Sequence, residues 1–377
     1  MAEPKNQTRL PHLPTEVIRE ILGWLPVKSL CRFRCVSNTW LSLISEPIFV
    51  NSHFNKALEH QHVFHQRRRV VIRDSWLCRL HTLNLDECLL NHTNVDNVGD
   101  DVVVVLVPTQ LKRRRFTKFV LYANGLLLLK SYFVFYLLNP ATKEHKIVPN
   151  PPQMYISSHW LYGFGFDVST LDYKVVRGEF FQFDVGFSVY SLKTGSWRAI
   201  LNRYPYESLQ PGMQGRVLNG SIHWLVCRNC SNVPSMVLLC FGLADEEVQE
   251  IPLPPEFLVD FNIEDGKYYF LDIFQECLCV GRTDDFEFWV MKEYGVAKSW
   301  SKISISLPCS EGILSGFVKN NHHLLLDLPQ HRLVMYNFED GSSRNLSVGS
   351  SYKVDFVGCY LESLVSPNHY HMTDGEH

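Results

Sequence analysis

No apolar run in this 377-residue chain approaches the roughly 18 residues that a membrane-spanning helix needs; the longest, Val102 to Val107, stops far short. The opening residues MAEPKNQTRL lack the apolar stretch of a secretory signal, so a soluble protein of the cytoplasm or nucleus is expected. Eleven cysteines, odd in number and irregularly spread, fit reduced thiols there rather than disulfides. The Asn-X-Ser/Thr sequons at Asn6, Asn91, Asn219, Asn229 and Asn345 are then chance matches. An excess of one charge sign is lacking too: 36 Lys+Arg against 39 Asp+Glu leave a net −3, which gives no global attraction to nucleic acid or an anionic membrane. The basic runs Arg67 to Arg69 and Lys112 to Arg115 read as solvated loop. There is no GxxxxGK[ST], HExxH or GxSxG pattern, and Gly163-Phe164-Gly165-Phe166 has neither the lysine nor the following helix of a phosphate loop.

What is present is concentrated at the N-terminus. Hydrophobic content of 46% suits one large domain plus a small one. Val17, Ile18, Ile21, Leu22 and Leu25 recur at helical spacing, predicting a helix over about residues 15 to 24 that Pro26 stops. A second is expected over about 28 to 36, with Leu30, Phe33 and Val36 on one face. Ser37 is placed to cap a third, with Trp40, Leu43 and Ile44 apolar and Pro47 closing the segment. Three short helices in so few residues cannot build an adequate core alone. They either dock on the rest of this chain or wait for a partner.

The order Leu13-Pro14, Glu16, Ile21-Leu22, Leu25-Pro26-Val27-Lys28-Ser29-Leu30, Arg32-Phe33-Arg34-Cys35-Val36-Ser37 and Trp40 closely resembles the F-box of the large plant F-box family. The resemblance implies a module that inserts into a Skp-type adaptor, itself held by a cullin scaffold with its RING subunit. Adaptor-binding positions carried over on it are Leu13, Pro14, Ile18, Ile21, Leu22, Leu25, Pro26, Leu30, Cys35, Val36 and Trp40. Which bury against the adaptor and which hold the helices together stays open. Residues 9 to 51 carry a formal +2, which would speed encounter with an acidic adaptor. Cys31 and Cys35 share a helix face, but two ligands do not close a zinc site.

From about residue 70 the texture is all-β: short apolar strands broken by Gly, Asn, Asp and Pro. One phrase, an apolar strand, a polar turn and a second strand, recurs around Asn139, Ser191, Gly242, Lys292 and Asn337, with a weaker copy at Asn84. A spacing near 50 residues is that of kelch-type propeller blades, and six phrases predict about six. The absence of any Gly-Gly pair departs from the kelch pattern. LYANGLLLL (121–129), LNPATKE (138–144), YGFGFDVSTLDYKVV (162–176), VYSLKTGSWR (189–198) and LNGSIHWL (218–225) resemble the associated domain that follows the F-box in plant proteins. Trp197 and Trp300 are expected to pack between neighbouring sheets. The Cys227/Cys230 and Cys277/Cys279 pairs read as loop and core thiols, and adjacent His322 and His323 would face opposite sides of a strand.

The expected organisation is a disordered tail (1–8), a three-helix F-box (9–51), a linker (52–69), a kelch-like β-propeller of about six blades (70–365) and a second tail (366–377). The resemblance implies a non-catalytic substrate receptor of a cullin-RING ubiquitin ligase: the F-box grips the adaptor and the propeller an unidentified target protein, with no cofactor, metal, nucleic acid or membrane. Two alternatives stay open, a binding protein acting outside the cullin ligase and a propeller enzyme with a helical appendage.

Overall fold

The computed structural model describes residues 13–74, 79–84, 103–105, 117–131, 134–151, 159–181, 183–209, 213–228, 235–259, 269–282, 287–304, 312–314, 322–327, 332–346 and 354–368. The basic run Lys112 to Arg115, Cys230 and the turn after Asn84 lie outside them.

The N-terminal helices are α1 (Thr15–Gly23), α2 (Val27–Phe33), α3 (Asn38–Ser45), α4 (Pro47–Glu59) and α5 (Gln61–Arg67). The first three follow the expected punctuation. Pro26 sits at the N-cap of α2, and the Ser37 side chain accepts a hydrogen bond from the Trp40 N–H at 3.2 Å. The expectation of three helices closed by Pro47, with a linker at 52–69, is corrected. Pro47 opens α4, because its fixed φ and missing N–H suit the first helical turn. The supposed linker is helical and buries His53, Phe54, Ala57, Val63 and Arg67.

The strands form six antiparallel sheets among the described residues, one with a short parallel addition. The first joins β1 (Arg68–Asp74), β2 (Arg79–Asn84) and β3 (Val103–Val105) to the last strand, β26 (Val354–Leu361), in the order β26-β1-β2-β3. The second is β4 (Thr117–Ala123) to β7 (His145–Val148), with β5 (Leu126–Ser131) and β6 (Val134–Leu138) between. The third holds β8 (Trp160–Asp167), β9 (Asp172–Phe181), β10 (Asp184–Ser191) and β11 (Ser196–Tyr204). In the fourth, β15 (Ser221–Arg228), β16 (Ser235–Gly242) and β17 (Val248–Ile251) carry a broken first strand, β12 (Tyr206–Glu207) plus β14 (Arg216–Leu218). Between those two pieces, β13 (Met213–Gln214) pairs with β8 of the third sheet instead. The fifth runs from β18 (Tyr269–Phe274) to β21 (Trp300–Ser304), and the sixth from β22 (Gly312–Leu314) to β25 (Ser343–Leu346). This is a β-propeller, and β26 closes it by pairing Val70 with Cys359 and Ile72 with Val357 on β1.

In the second to sixth sheets the recurring phrase marks the turn before the outer strand. In four copies its fifth residue is left-handed (Lys143 φ 63°, Gly195 φ 67°, Glu246 φ 58°, Gly341 φ 68°). That residue's N–H donates to the carbonyl of the first (Asn139, Ser191, Gly242, Asn337) at 2.9–3.0 Å. The repeat is therefore a turn conformation preserved without one fixed residue, which explains how it survives without Gly-Gly.

Neighbouring sheets are tied by indoles. The Trp197 N–H of the third sheet donates to the Pro149 carbonyl at 2.5 Å, just beyond β7, and the Trp300 N–H of the fifth donates to Pro252 at 2.8 Å, just beyond β17. Trp300 is buried. Between the fourth and fifth sheets, His223 Nδ1 donates to the Arg216 carbonyl at 3.1 Å, leaving Nε2 to accept the Tyr294 hydroxyl at 2.7 Å. Burial pushes its pKa down to about 4, so the ring stays neutral.

The helices are welded to the propeller. Leu22, Val27, Leu30, Leu43, Ile44, Phe49 and Val50 share one hydrophobic cluster with Leu121, Ala123, Leu126 and Leu137 of the second sheet and with Leu364 and Val365. Phe54, Ala57 and Val63 cluster with Leu361 of β26. The C-terminal segment is pinned by Asn139, whose amide donates to the Ser363 and Val365 carbonyls at 2.9 and 2.7 Å. Gly125 (φ +85°) turns β4 into β5 against that segment, where a Cβ would lie 2.1 Å from Ser363 Oγ.

At the centre of the junction lies Arg67, buried at 1% exposure. Its guanidinium donates to the carbonyls of Gly23 (2.9 Å), Leu25 (3.1 Å) and His53 (2.5 Å) and to His53 Nδ1 (3.1 Å). His53 Nε2 must then carry the proton donated to the Leu25 carbonyl at 2.9 Å. Burial first, and the Arg67 cation second, push the His53 pKa down to about 3.

Two outcomes are expected. Replacing Trp300 with Phe, which removes the donor of the bond to the Pro252 carbonyl, lowers the unfolding free energy by about 0.5–1.5 kcal/mol in urea titration. His53, neutral when folded and titrating near 6.5 when unfolded, contributes stability that is complete above pH 6.5 and is lost as pH falls from there toward 3. His53→Gln should therefore remove about 1.4 kcal/mol per pH unit from the slope of unfolding free energy across that window.

Candidate functional site

Helix α1 carries two apolar stripes, each at i, i+4 and i+7 and offset by one residue, so they lie side by side. Ile18, Leu22 and Leu25 face the shared core: Leu22 is buried, and Ile18 and Leu25 are partly buried against the same cluster. Val17, Ile21 and Trp24 face water at 42%, 50% and 36% exposure, and Leu13 just before the helix is 57% exposed. Burying four such side chains on a partner would be worth several kcal/mol.

Trp24 is held in place. Its indole N–H donates to Glu20 Oε1 at 3.0 Å, Lys56 Nζ lies 4.3 Å from the ring centroid while also pairing with Glu20, and His62 stacks at 5.8 Å. Hydrogen bonds from Lys56 and Trp24 hold the Glu20 carboxyl below its ordinary pKa. A groove of about 220 Å³ between α1 and α4, bordered by Glu16, Arg19, Gly23, Phe49 and Ser52, adjoins this clasp.

The sequence-proposed positions separate by burial. Leu22 and Leu30 are closed into the core that the helices share with the second sheet. Ile18, Leu25 and Trp40 are partly buried, Trp40 lying edge-on to Phe33 at 5.3 Å. Leu13, Pro14, Ile21, Pro26, Cys35 and Val36 are exposed, Val36 at 65%. Of the two courses open to these helices, docking on the rest of their own chain is the one taken: α4 and the propeller supply their core, and one stripe of α1 stays exposed. Val17, Trp24 and Leu41, the last at 44%, are exposed as well. Spacing alone signalled Val17, but it could not tell which stripe would stay in water.

The other candidates occupy structural places. Cys227 and Cys279 are buried in strands β15 and β19 (Cys277–Arg282), where burial pushes the Cys279 thiol well above its usual pKa. His322 and His323 occupy consecutive positions of β23 (His322–Asp327). Among the described residues no three His, Cys, Asp or Glu side chains group to hold a metal ion.

Comparison with known proteins agrees with this division. The family described as F-box domain matches residues 10–52, and that described as F-box associated beta propeller domain matches residues 76–367. Among Arabidopsis thaliana proteins, F-box protein CPR1 is 28% identical, over 94% of this chain and 88% of its own length. F-box/kelch-repeat protein At3g23880 is 28% identical over 98% of this chain and the whole of its own. F-box protein At4g22390 is 27% identical over 93% and 90%. With a helical module that leaves one apolar stripe bare and a propeller matched along most of its length, the chain belongs to the family of plant F-box proteins that carry the F-box associated β-propeller domain.

Proposed function

We propose that this chain is the substrate-recognition subunit of a Skp-cullin-F-box ubiquitin ligase, acting in the cytoplasm or nucleus. The stripe of Leu13, Val17, Ile21 and Trp24, exposed on a helix whose other stripe is closed, carries the reading. A Skp-type adaptor covers that stripe together with Val36 and Leu41, and the cullin and RING subunits follow through the adaptor. The propeller, with each of the six sheets read as one blade, holds the target protein. Ubiquitination and proteasomal degradation then follow from positioning: target lysines are kept at high effective concentration near the conjugating enzyme. No residue of this chain makes or breaks a covalent bond.

Of the positions carried over from the family, we assign Leu13, Pro14, Ile21, Cys35 and Val36 to adaptor contact. Leu22 and Leu30 hold the module to its own propeller, with Ile18, Leu25, Pro26 and Trp40 at the boundary.

Two sets of variants separate these roles. Leu13→Asp and Ile21→Asp should weaken adaptor binding at least about tenfold, roughly 1.4 kcal/mol, with the melting temperature unchanged. Leu30→Ala should cost about 2–5 kcal/mol of stability through its cavity. Binding by isothermal titration and melting by calorimetry read the two independently. Undiminished binding by both aspartate variants rejects the adaptor surface, and recovery of adaptor without cullin from plant extracts moves the reading to a binding protein outside the ligase.

A further inference from the structure

Among the exposed apolar side chains Leu13, Val17, Ile21 and Trp24, the last stands at the C-cap of α1, and helix ends fray. Trp24 is nonetheless fixed from several sides. Its backbone is clamped before and after: Arg67 Nη2 donates to the Gly23 carbonyl at 2.9 Å and to the Leu25 carbonyl at 3.1 Å, and His53 Nε2 also donates to Leu25, at 2.9 Å.

The ring is clamped in turn. Its N–H is committed to Glu20 Oε1 at 3.0 Å, and Lys56 Nζ lies 4.3 Å from the ring centroid while pairing with the same Glu20. The imidazoles of His60 and His62 stand 4.8 and 5.8 Å away, His62 nearly parallel to the indole at 12°. Lys56 reaches this place across Gly23, where a Cβ would lie 3.1 Å from its Cε. Its side chain is 14% exposed against 64% for Glu20, so the lysine is enclosed by the clasp rather than extended into water.

These contacts share one origin. Glu20 apart, every one of these groups comes from residues 53 to 67, in α4 and α5, whereas the F-box match ends at residue 52. A tryptophan with a purely structural task is sunk in the core, as Trp224 is at 1% exposure. Trp24 keeps 36% of its surface in water, with its one donor already used inside the clasp. What it offers outward is hydrocarbon in a single held orientation, which is the character of an interface anchor.

We infer that α4 and α5 are a mount for the adaptor-binding stripe, in which Lys56 is a positioning residue that holds Trp24 in the orientation the Skp-type adaptor meets. This rests on the receptor reading above and assigns part of the adaptor affinity to residues outside the F-box proper. Lys56 acts through Trp24 rather than by touching the adaptor. It keeps the competent orientation populated, and apparent affinity falls in proportion as that population falls.

A double-mutant cycle in the full chain tests this, with adaptor affinity read by isothermal titration. Trp24→Ala should weaken binding about tenfold. Lys56→Met, which keeps an unbranched stem over Gly23 but removes the cation, should weaken it about fivefold, and Lys56→Arg should stay within about twofold of the unmodified chain. In the Trp24→Ala background Lys56→Met should have no further effect, because the group it positions is gone. With fluorotryptophan incorporated, the fluorine resonance that disappears in Trp24→Phe should shift or broaden in Lys56→Met and return in Lys56→Arg, while the melting temperature stays unchanged in both. Unchanged affinity in Trp24→Ala or in Lys56→Met, a Lys56→Met loss that persists in the Trp24→Ala background, or a loss matched by a fall in melting temperature overturns the inference. Failure of the receptor reading shows differently, as no measurable adaptor binding by the unmodified chain, and overturns both.

Discussion

One guanidinium decides how the two halves of this protein relate. Arg67 closes α5, and its side chain donates to the carbonyls of Gly23 and Leu25 at the end of α1 and of His53 within α4. Its own carbonyl accepts the Glu362 N–H at 3.0 Å, and the next residue but one, Arg69, pairs with the Glu362 carboxylate at 3.2 Å. Helix ends, the first propeller strand and the returning C-terminus thus meet at one residue. Burial lowers the Arg67 pKa only to about 10, so the cation persists at neutral pH and keeps its four hydrogen bonds. Neutral His53 is the accommodation: a protonated ring there would set two cations in contact inside the core.

That junction also shapes what the helices can offer a partner. A flexible tether would let the helical module wander relative to the propeller; a shared hydrophobic cluster running from Leu22 to Val365 fixes one on the other. Fixed geometry is what a positioning mechanism requires, since effective concentration falls as the linkage gains freedom. The ring closure serves the same end. β26 pairs with β1, and the segment just beyond it is held by Asn139 and packs beneath the helices, so closing the propeller and mounting the helical module are a single structural event.

Much of this was legible in the chain. Pro26 and Ser37 punctuate α1 to α3 because proline and serine act through local backbone chemistry. The propeller period was readable because four of the copies place a left-handed residue four positions into the turn, whichever residue does it. What stayed hidden depends on long-range choices. Pro47 can end one helix or begin another, and only the packing of Phe49 and His53 against the end of α1 and of Phe54 against β26 decides for a beginning. The split first strand of the fourth sheet leaves no periodic trace in 206–218, since the Gly215 N–H bonds the Tyr162 carbonyl of a different sheet at 2.6 Å.

The two stripes of α1 show the limit most sharply. Ile18 and Leu22 differ from Val17 and Ile21 in no property that a hydropathy pattern registers, yet one pair packs inward and the other faces water. A helix that is apolar over so wide an arc satisfies two surfaces at once, and the chain's own propeller, tethered through α4 and α5, occupies the first. The competition is intramolecular against intermolecular, and the tethered surface wins because its closure costs no translational entropy. Any adaptor must therefore be shaped to the remaining arc, and the arrangement selects a partner that caps an already folded module rather than one that completes its core.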